Sequence, residues 1–176
     1  MFKVNSLKSR FFILTGFMGA GKTFIGRAAA NKLNCQFVDL DSYIEEQENK
    51  SVYEIFKSYS EKRFRELETK YFIELTSIKS DLTIIAVGGG FPLKEENQLL
   101  IHKHTTIYID TDFNIILSRL KGNEKNKRPV LNNLTEDGIK KLYESRLPIY
   151  KNTADYIARN LNEIVDYIKQ NSIKDF

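Results

Sequence analysis

Residues 16–23 of the chain read Gly-Phe-Met-Gly-Ala-Gly-Lys-Thr, a match to G-x-x-x-x-G-K-S/T. An apolar run, Phe11–Thr15 (FFILT), precedes it, and Phe24 to Leu33 follows with apolar residues at helical spacing, Ile25, Ala29 and Leu33. Glycines let the backbone curl until several N–H groups face one anion-sized hollow. A helix that starts there aims its N-terminal dipole at the same point. Lys22 adds a positive charge suited to the β and γ phosphates of a nucleotide, and the Thr23 hydroxyl is suited to Mg²⁺. Gly19, Ala20, Gly21, Lys22 and Thr23 are therefore candidate phosphate-binding residues. The same letters fit a chance glycine turn before a helix. The buried-strand pattern on one side and the helical pattern on the other argue against that reading.

Further apolar runs alternate with helical segments. Gln36–Asp39, Leu82–Val87 and Thr105–Ile109 read as strands, and Tyr156–Ala158 as an edge strand. Ser42 to Gln47 reads as a helix capped by Ser42 with Glu45 three residues on. Val52–Tyr59 and Glu61–Ser77 read as two more, the longer taking its apolar side from Phe64, Leu67, Tyr71, Ile73 and Leu75. Thr111 to Leu120 is helical with Thr111 or Asp112 at the cap, Leu134 to Tyr150 is helical until Pro148 ends or kinks it, and Leu161–Ile168 closes the chain. Strands alternating with helices imply a three-layer α/β/α fold around a mostly parallel sheet. The 176 residues suit one domain, with no internal repeat or interdomain linker. Lys121–Asn133 is polar, charged and broken by Gly122 and Pro129, as lid loops are.

Composition excludes some classes. The hydrophobic fraction is 41% and the charged fraction 28%, ordinary for a globular chain and unlike a disordered one. Lys and Arg exceed Asp and Glu by 27 to 23, a +4 surplus that favours an anionic ligand and is too small to argue for nucleic acid. One cysteine, Cys35, makes no internal disulfide and reads as a packing residue. The only histidines, His102 and His104, lie beyond a loop from it. No run approaches the about 18 apolar residues of a membrane span, and no signal peptide is legible. A cytoplasmic monomer is expected.

A phosphate hollow does not name a reaction. The D-x-x-G and N-K-x-D patterns of a GTPase are missing, since Asn126-Lys127 runs into Arg128-Pro129. Asp39-Leu40-Asp41 closes the second strand, and alternate residues there lean to one side. At the carboxyl edge of a parallel sheet that side is the ligand crevice. One carboxylate then suits a metal and the other an attacking hydroxyl, although helix capping by Asp41 fits as well. Asp110 is a weaker rival to Asp39. Gly88-Gly89-Gly90 ends the third strand, and reads as a tight turn or as backbone that approaches a polyol.

Taken in order, GFMGAGKT, FVDLD, FRELE, AVGGG, KRP and R-x-P-I-Y resemble the shikimate kinase family from Phe12 to about Ile168. Ser60 stands where the family usually has glycine, and the lid reads Arg-Pro-Val-Leu. The resemblance implies a P-loop fold of the nucleoside-monophosphate-kinase-like group with a mobile lid at about 121–133 and substrate-binding helices at about 42–77. It implies transfer of the γ-phosphate of ATP to the 3-hydroxyl of shikimate, giving shikimate 3-phosphate and ADP on the route to chorismate and the aromatic amino acids. By position it gives Asp41 the hydroxyl, Asp39 and Thr23 the Mg²⁺, Arg65 and Arg146 the substrate carboxylate, and Gly88, Gly89 and Gly90 the substrate. Arg128 is the lid arginine that closes on the phosphates. Lys121, where an arginine is common, and Arg159 fall on the adenine side, and an ammonium does not stack as a guanidinium does. Lys22, Asp41 and Arg128 are thus the expected catalytic residues. The six cations of this set, set against its two aspartates, account for the basic surplus. A gluconate-type kinase and a non-catalytic nucleotide-gated binding protein are the rival readings.

Overall fold

The computed structural model describes residues 10–78, 81–121 and 134–172. Five strands, β1 (Phe11–Thr15), β2 (Gln36–Asp39), β3 (Thr83–Ala86), β4 (Thr105–Ile109) and β5 (Tyr156–Ala158), form one sheet in the order β2-β3-β1-β4-β5. Every pairing is parallel. The helices are α1 (Lys22–Leu33), α2 (Leu40–Glu48), α3 (Val52–Ser58), α4 (Glu61–Ser77), α5 (Glu95–Ile101), α6 (Phe113–Leu120), α7 (Glu136–Thr153) and α8 (Leu161–Asn171). From β1 the chain runs to the β2 edge, returns through β3, and then crosses to β4. The reversal beside β1 opens a crevice at the carboxyl ends of the strands.

The unbroken apolar letters of β1 are explained by its two covered faces. Phe11 and Ile13 join a core with Leu40, Ile44, Ile55, Phe64 and Phe72 of α2, α3 and α4. Phe12 and Leu14 join the opposite core with Ala29 and Ala30 of α1 and Ile164, Val165 and Ile168 of α8. A third cluster beneath the glycine loop holds Phe17, Met18, Ala20, Tyr108, Ile116 and Tyr150. Cys35 packs half-buried against the second core as a free thiol, its pKa raised by burial. Among the described residues no helix is long and apolar enough to cross a membrane.

The structure corrects four details. Asp39, not Ser42, caps α2: its Oδ1 accepts the Ser42 N–H at 3.2 Å. The helix therefore starts at Leu40, and Asp41 lies in its first turn. Pro148 does not end α7: it lies inside the helix, which runs on to Thr153 with Tyr150 and Thr153 buried. Ile73 is 43% exposed, and Phe72 takes its place in the core. Between β3 and β4, where the sequence pattern predicts no element, lie a 3₁₀ turn at Phe91–Leu93 and the short α5. Residues 122–133, the expected lid, lie outside the described residues, and Arg128 with them.

Candidate active site

The loop after β1 has the shape its glycines permit. Gly16, Gly19 and Gly21 take φ values of 148°, 81° and 91°, a region closed to most side-chain-bearing residues. Lys22 lies across the turn, its Nζ donating to the carbonyls of Gly16 at 2.8 Å and Phe17 at 3.1 Å. α1 begins at Lys22, and no acidic residue stands in its first turn to compete with an anion. Ala20 is buried in the third cluster, and its carbonyl accepts the Thr111 hydroxyl at 2.9 Å. It contributes backbone to the loop, while its methyl packs into that cluster.

Beside the hollow, Thr23 Oγ1 donates to Asp39 Oδ2 at 2.5 Å. A hydroxyl and a carboxylate side by side are the hard oxygen donors that Mg²⁺ takes, with phosphate and water completing its shell. Among the described residues no group of three or more His, Cys, Asp or Glu side chains that could hold a metal ion occurs. Lys22, Thr23, Asp39, Asp41, Gly88 and Gly89 line one cavity of about 410 Å³.

Asp41 faces Glu68 across Gly88. A Cβ added to Gly88 would lie 2.6 Å from Glu68 Oε1 and 2.9 Å from Asp41 Oδ1, so only glycine fits between them. Glu68 is fully buried, and its Oε2 accepts from Arg65 Nη1 at 2.7 Å. Arg65 Nη2 reaches Glu61 at 2.9 Å. Burial, opposed by Arg65 and reinforced by Asp41, pushes the Glu68 pKa up to about 7. The Arg65 guanidinium lies so close to Gly90 that a Cβ there would be 2.5 Å from its carbon and both terminal nitrogens.

Arg146 is 6% exposed, lies 5.8 Å from the centre of the Phe17 ring, and keeps Nη1 without a hydrogen-bond partner among the described residues. Tyr150 donates to the Gly89 carbonyl at 2.5 Å. Its pKa is pushed up to about 12 by burial, against the pull of Arg146 and Arg65. Both arginines therefore lie near one phenol, behind the Gly88–Gly90 turn.

The adenine-side expectations fare differently. Lys121 is exposed and pairs with Glu136 at 2.7 Å, and Arg159 is 73% exposed with Asp110 at 3.8 Å. Neither lines the cavity. Arg119 does, and its Nη1 donates to the Gly19 carbonyl at 2.9 Å. Sequence reasoning missed Arg119, Glu68 and Tyr150. For Glu68 a signal existed, since three residues after Arg65 is the same helical face.

A parallel sheet in this order, with a glycine hollow after its central strand and a carboxylate pair at the next strand end, defines a P-loop kinase of the nucleoside-monophosphate-kinase-like group. The sequence model of the family described as shikimate kinase matches residues 18–175. A shikimate kinase of Dictyoglomus turgidum is 37% identical over 155 residues, 87% of this chain and 89% of that one. Among solved structures, a shikimate kinase from Acinetobacter baumannii in complex with shikimate superposes with a TM-score of 0.84 at 28% identity, covering 96% of this chain and 97% of that one. The enzyme from Bacteroides thetaiotaomicron gives 0.77 at 33%, covering 91% and 96%. The chain belongs to the shikimate kinase family and is an ATP-dependent phosphotransferase.

Proposed function

We propose that the enzyme transfers the γ-phosphate of ATP to the 3-hydroxyl of shikimate, and that the observation carrying the acceptor is Arg146. Its Nη1 is a buried guanidinium nitrogen without an acceptor among the described residues, a costly arrangement that a carboxylate relieves. Arg65 already holds Glu61 and Glu68. In this reading it presents its remaining N–H groups to the same carboxylate, while Gly88, Gly89 and Gly90 let the ring lie against the turn.

Asp41 orients the hydroxyl and accepts its proton as the phosphoryl group arrives. Lys22 leaves its carbonyl partners for the β and γ phosphates, and the loop N–H groups from Gly19 to Thr23 hold them in line. Thr23 and Asp39 would hold Mg²⁺, which supplies charge neutralisation on the phosphates. Arg128 closes on the γ-phosphate and shields the site from water. The residues act as one domain, and no nucleic acid or membrane enters the reaction.

A coupled assay of ADP release with shikimate, gluconate or no acceptor tests the assignment. ADP release that depends on shikimate is expected. Equal rates with gluconate, or release without any acceptor, would overturn it.

A further inference from the structure

Thr23 is followed on α1 by Phe24, whose side chain is 81% exposed. α1 buries Gly26, Ala29 and Ala30 against the sheet. Position 24 is about 200° around the helix from Gly26, so core packing does not use it. The guanidinium one turn on does not cover it either, for Arg27 lies 5.8 Å over the ring of Phe37. Yet the Phe24 ring lines the same cavity as Lys22, Thr23, Asp39 and Arg119.

The chemistry of the lining divides the cavity. Asp41 and Gly88 mark the acceptor end, and Lys22 with the glycine loop marks the phosphates. Thr23 and Asp39 stand beside the phosphates, and Val87 and Gly89 flank Gly88 in the chain; Phe24, Arg119 and Leu120 make up the rest of the lining. A nucleotide carries, beyond its phosphates, a sugar and a base with apolar faces. An aromatic ring stacks on such faces with little regard to base identity.

Resting on the nucleotide reading of the hollow, we infer that Phe24 is a nucleoside-contacting residue whose ring packs against the sugar and base of the bound nucleotide. The helix gains nothing from an aromatic side chain here, and the nucleotide does.

Calorimetry of ADP and of inorganic tripolyphosphate, on wild type and on Phe24→Ala, tests this. The substitution is expected to weaken ADP about tenfold, the scale of losing one partly buried ring, and tripolyphosphate less than about twofold. Unchanged ADP affinity, or equal losses for both ligands, would overturn the inference. The chain holds no tryptophan, so Phe24→Trp supplies one fluorophore for a second measurement. Its quenching by acrylamide is expected to fall when ADP binds and to hold when tripolyphosphate binds; a ring that stays equally quenchable with ADP overturns the contact. Neither measurement needs an acceptor. A wild type that binds ADP and ignores shikimate refutes the acceptor reading alone, whereas one that binds neither ADP nor tripolyphosphate refutes the nucleotide reading and this contact together.

Discussion

Glu68 bonds Arg65 through one carboxylate oxygen at 2.7 Å, while its other oxygen, fully buried, has no hydrogen-bond partner among the described residues. That second oxygen faces Asp41 Oδ1 across Gly88, so two carboxyl groups meet beside the Arg65 guanidinium. Arg65 is held by Glu61 and Glu68 before any substrate arrives, which fixes the plane of its guanidinium against Gly90. Helical spacing does this locally, since residues three and four apart share a face.

Glu68 should make stability depend on pH. Its folded pKa of about 7 lies above the ordinary 4.5, so between those values the fold keeps a proton that the unfolded chain has released. Stability contributed by this group is present below about pH 4.5 and is lost as pH rises toward 7. The loss is on the order of 3 kcal/mol. Glu68→Gln keeps the neutral shape and should lack the slope. His104, whose pKa burial lowers, gives a slope of opposite sign in both proteins and cancels in the comparison. Urea titrations from pH 5 to 8 read the difference, and a difference that stays constant would mean that Glu68 is ionised throughout.

Gly88→Ala should damage the acceptor site while sparing the hollow. The new methyl would sit within 3 Å of both Glu68 Oε1 and Asp41 Oδ1, forcing one carboxylate aside. A displacement of about 1 Å at reacting groups costs roughly 100-fold. The expected result is a fall of about that size in kcat/KM for shikimate with ADP affinity kept within about threefold. Normal turnover would show that neither carboxylate serves the acceptor.

The sequence made some of this plain and hid the rest for identifiable reasons. The glycine hollow is local, so spacing alone predicts it, and the buried strands announce themselves because both faces of β1 are covered. Asp39 and Asp41 do share the cavity, but by a strand-to-helix switch at Leu40 and not by strand alternation. Arg65 and Arg146 are 81 residues apart, and only tertiary packing brings both beside Tyr150. Alone, the letters around Arg65 read as a solvated helix face. α5 escaped notice because seven residues, EENQLLI, are too few to show a period. Arg119 was overshadowed by Lys121: helical rotation turns one residue to the cavity and the other to Glu136.

Arg65→Lys keeps the charge and loses the fork. A lysine cannot hold Glu61 and Glu68 and still offer a flat pair of N–H groups. The KM for shikimate should rise at least about tenfold while the KM for ATP changes less than about twofold. Leaving a buried carboxylate partly unpaired should also lower stability by about 1–3 kcal/mol. Equal effects on both KM values would remove Arg65 from the carboxylate site.

Arg119 and Lys121 make opposite predictions for the nucleotide side. Arg119 lines the cavity and ties α6 to the loop through Gly19 at 2.9 Å, whereas Lys121 is more than half exposed and paired with Glu136. An exposed ion pair of that kind contributes about 0–1 kcal/mol, so Lys121→Ala should leave both KM values within about twofold. Arg119→Ala removes a guanidinium from the cavity wall and a bond that holds the loop, and should raise the KM for ATP about tenfold, the usual scale for a hydrogen bond from a charged group. Steady-state kinetics at saturating shikimate separate the two. If Lys121→Ala proved the more damaging, the adenine side would follow the resemblance at position 121 and not the cavity that Arg119 lines.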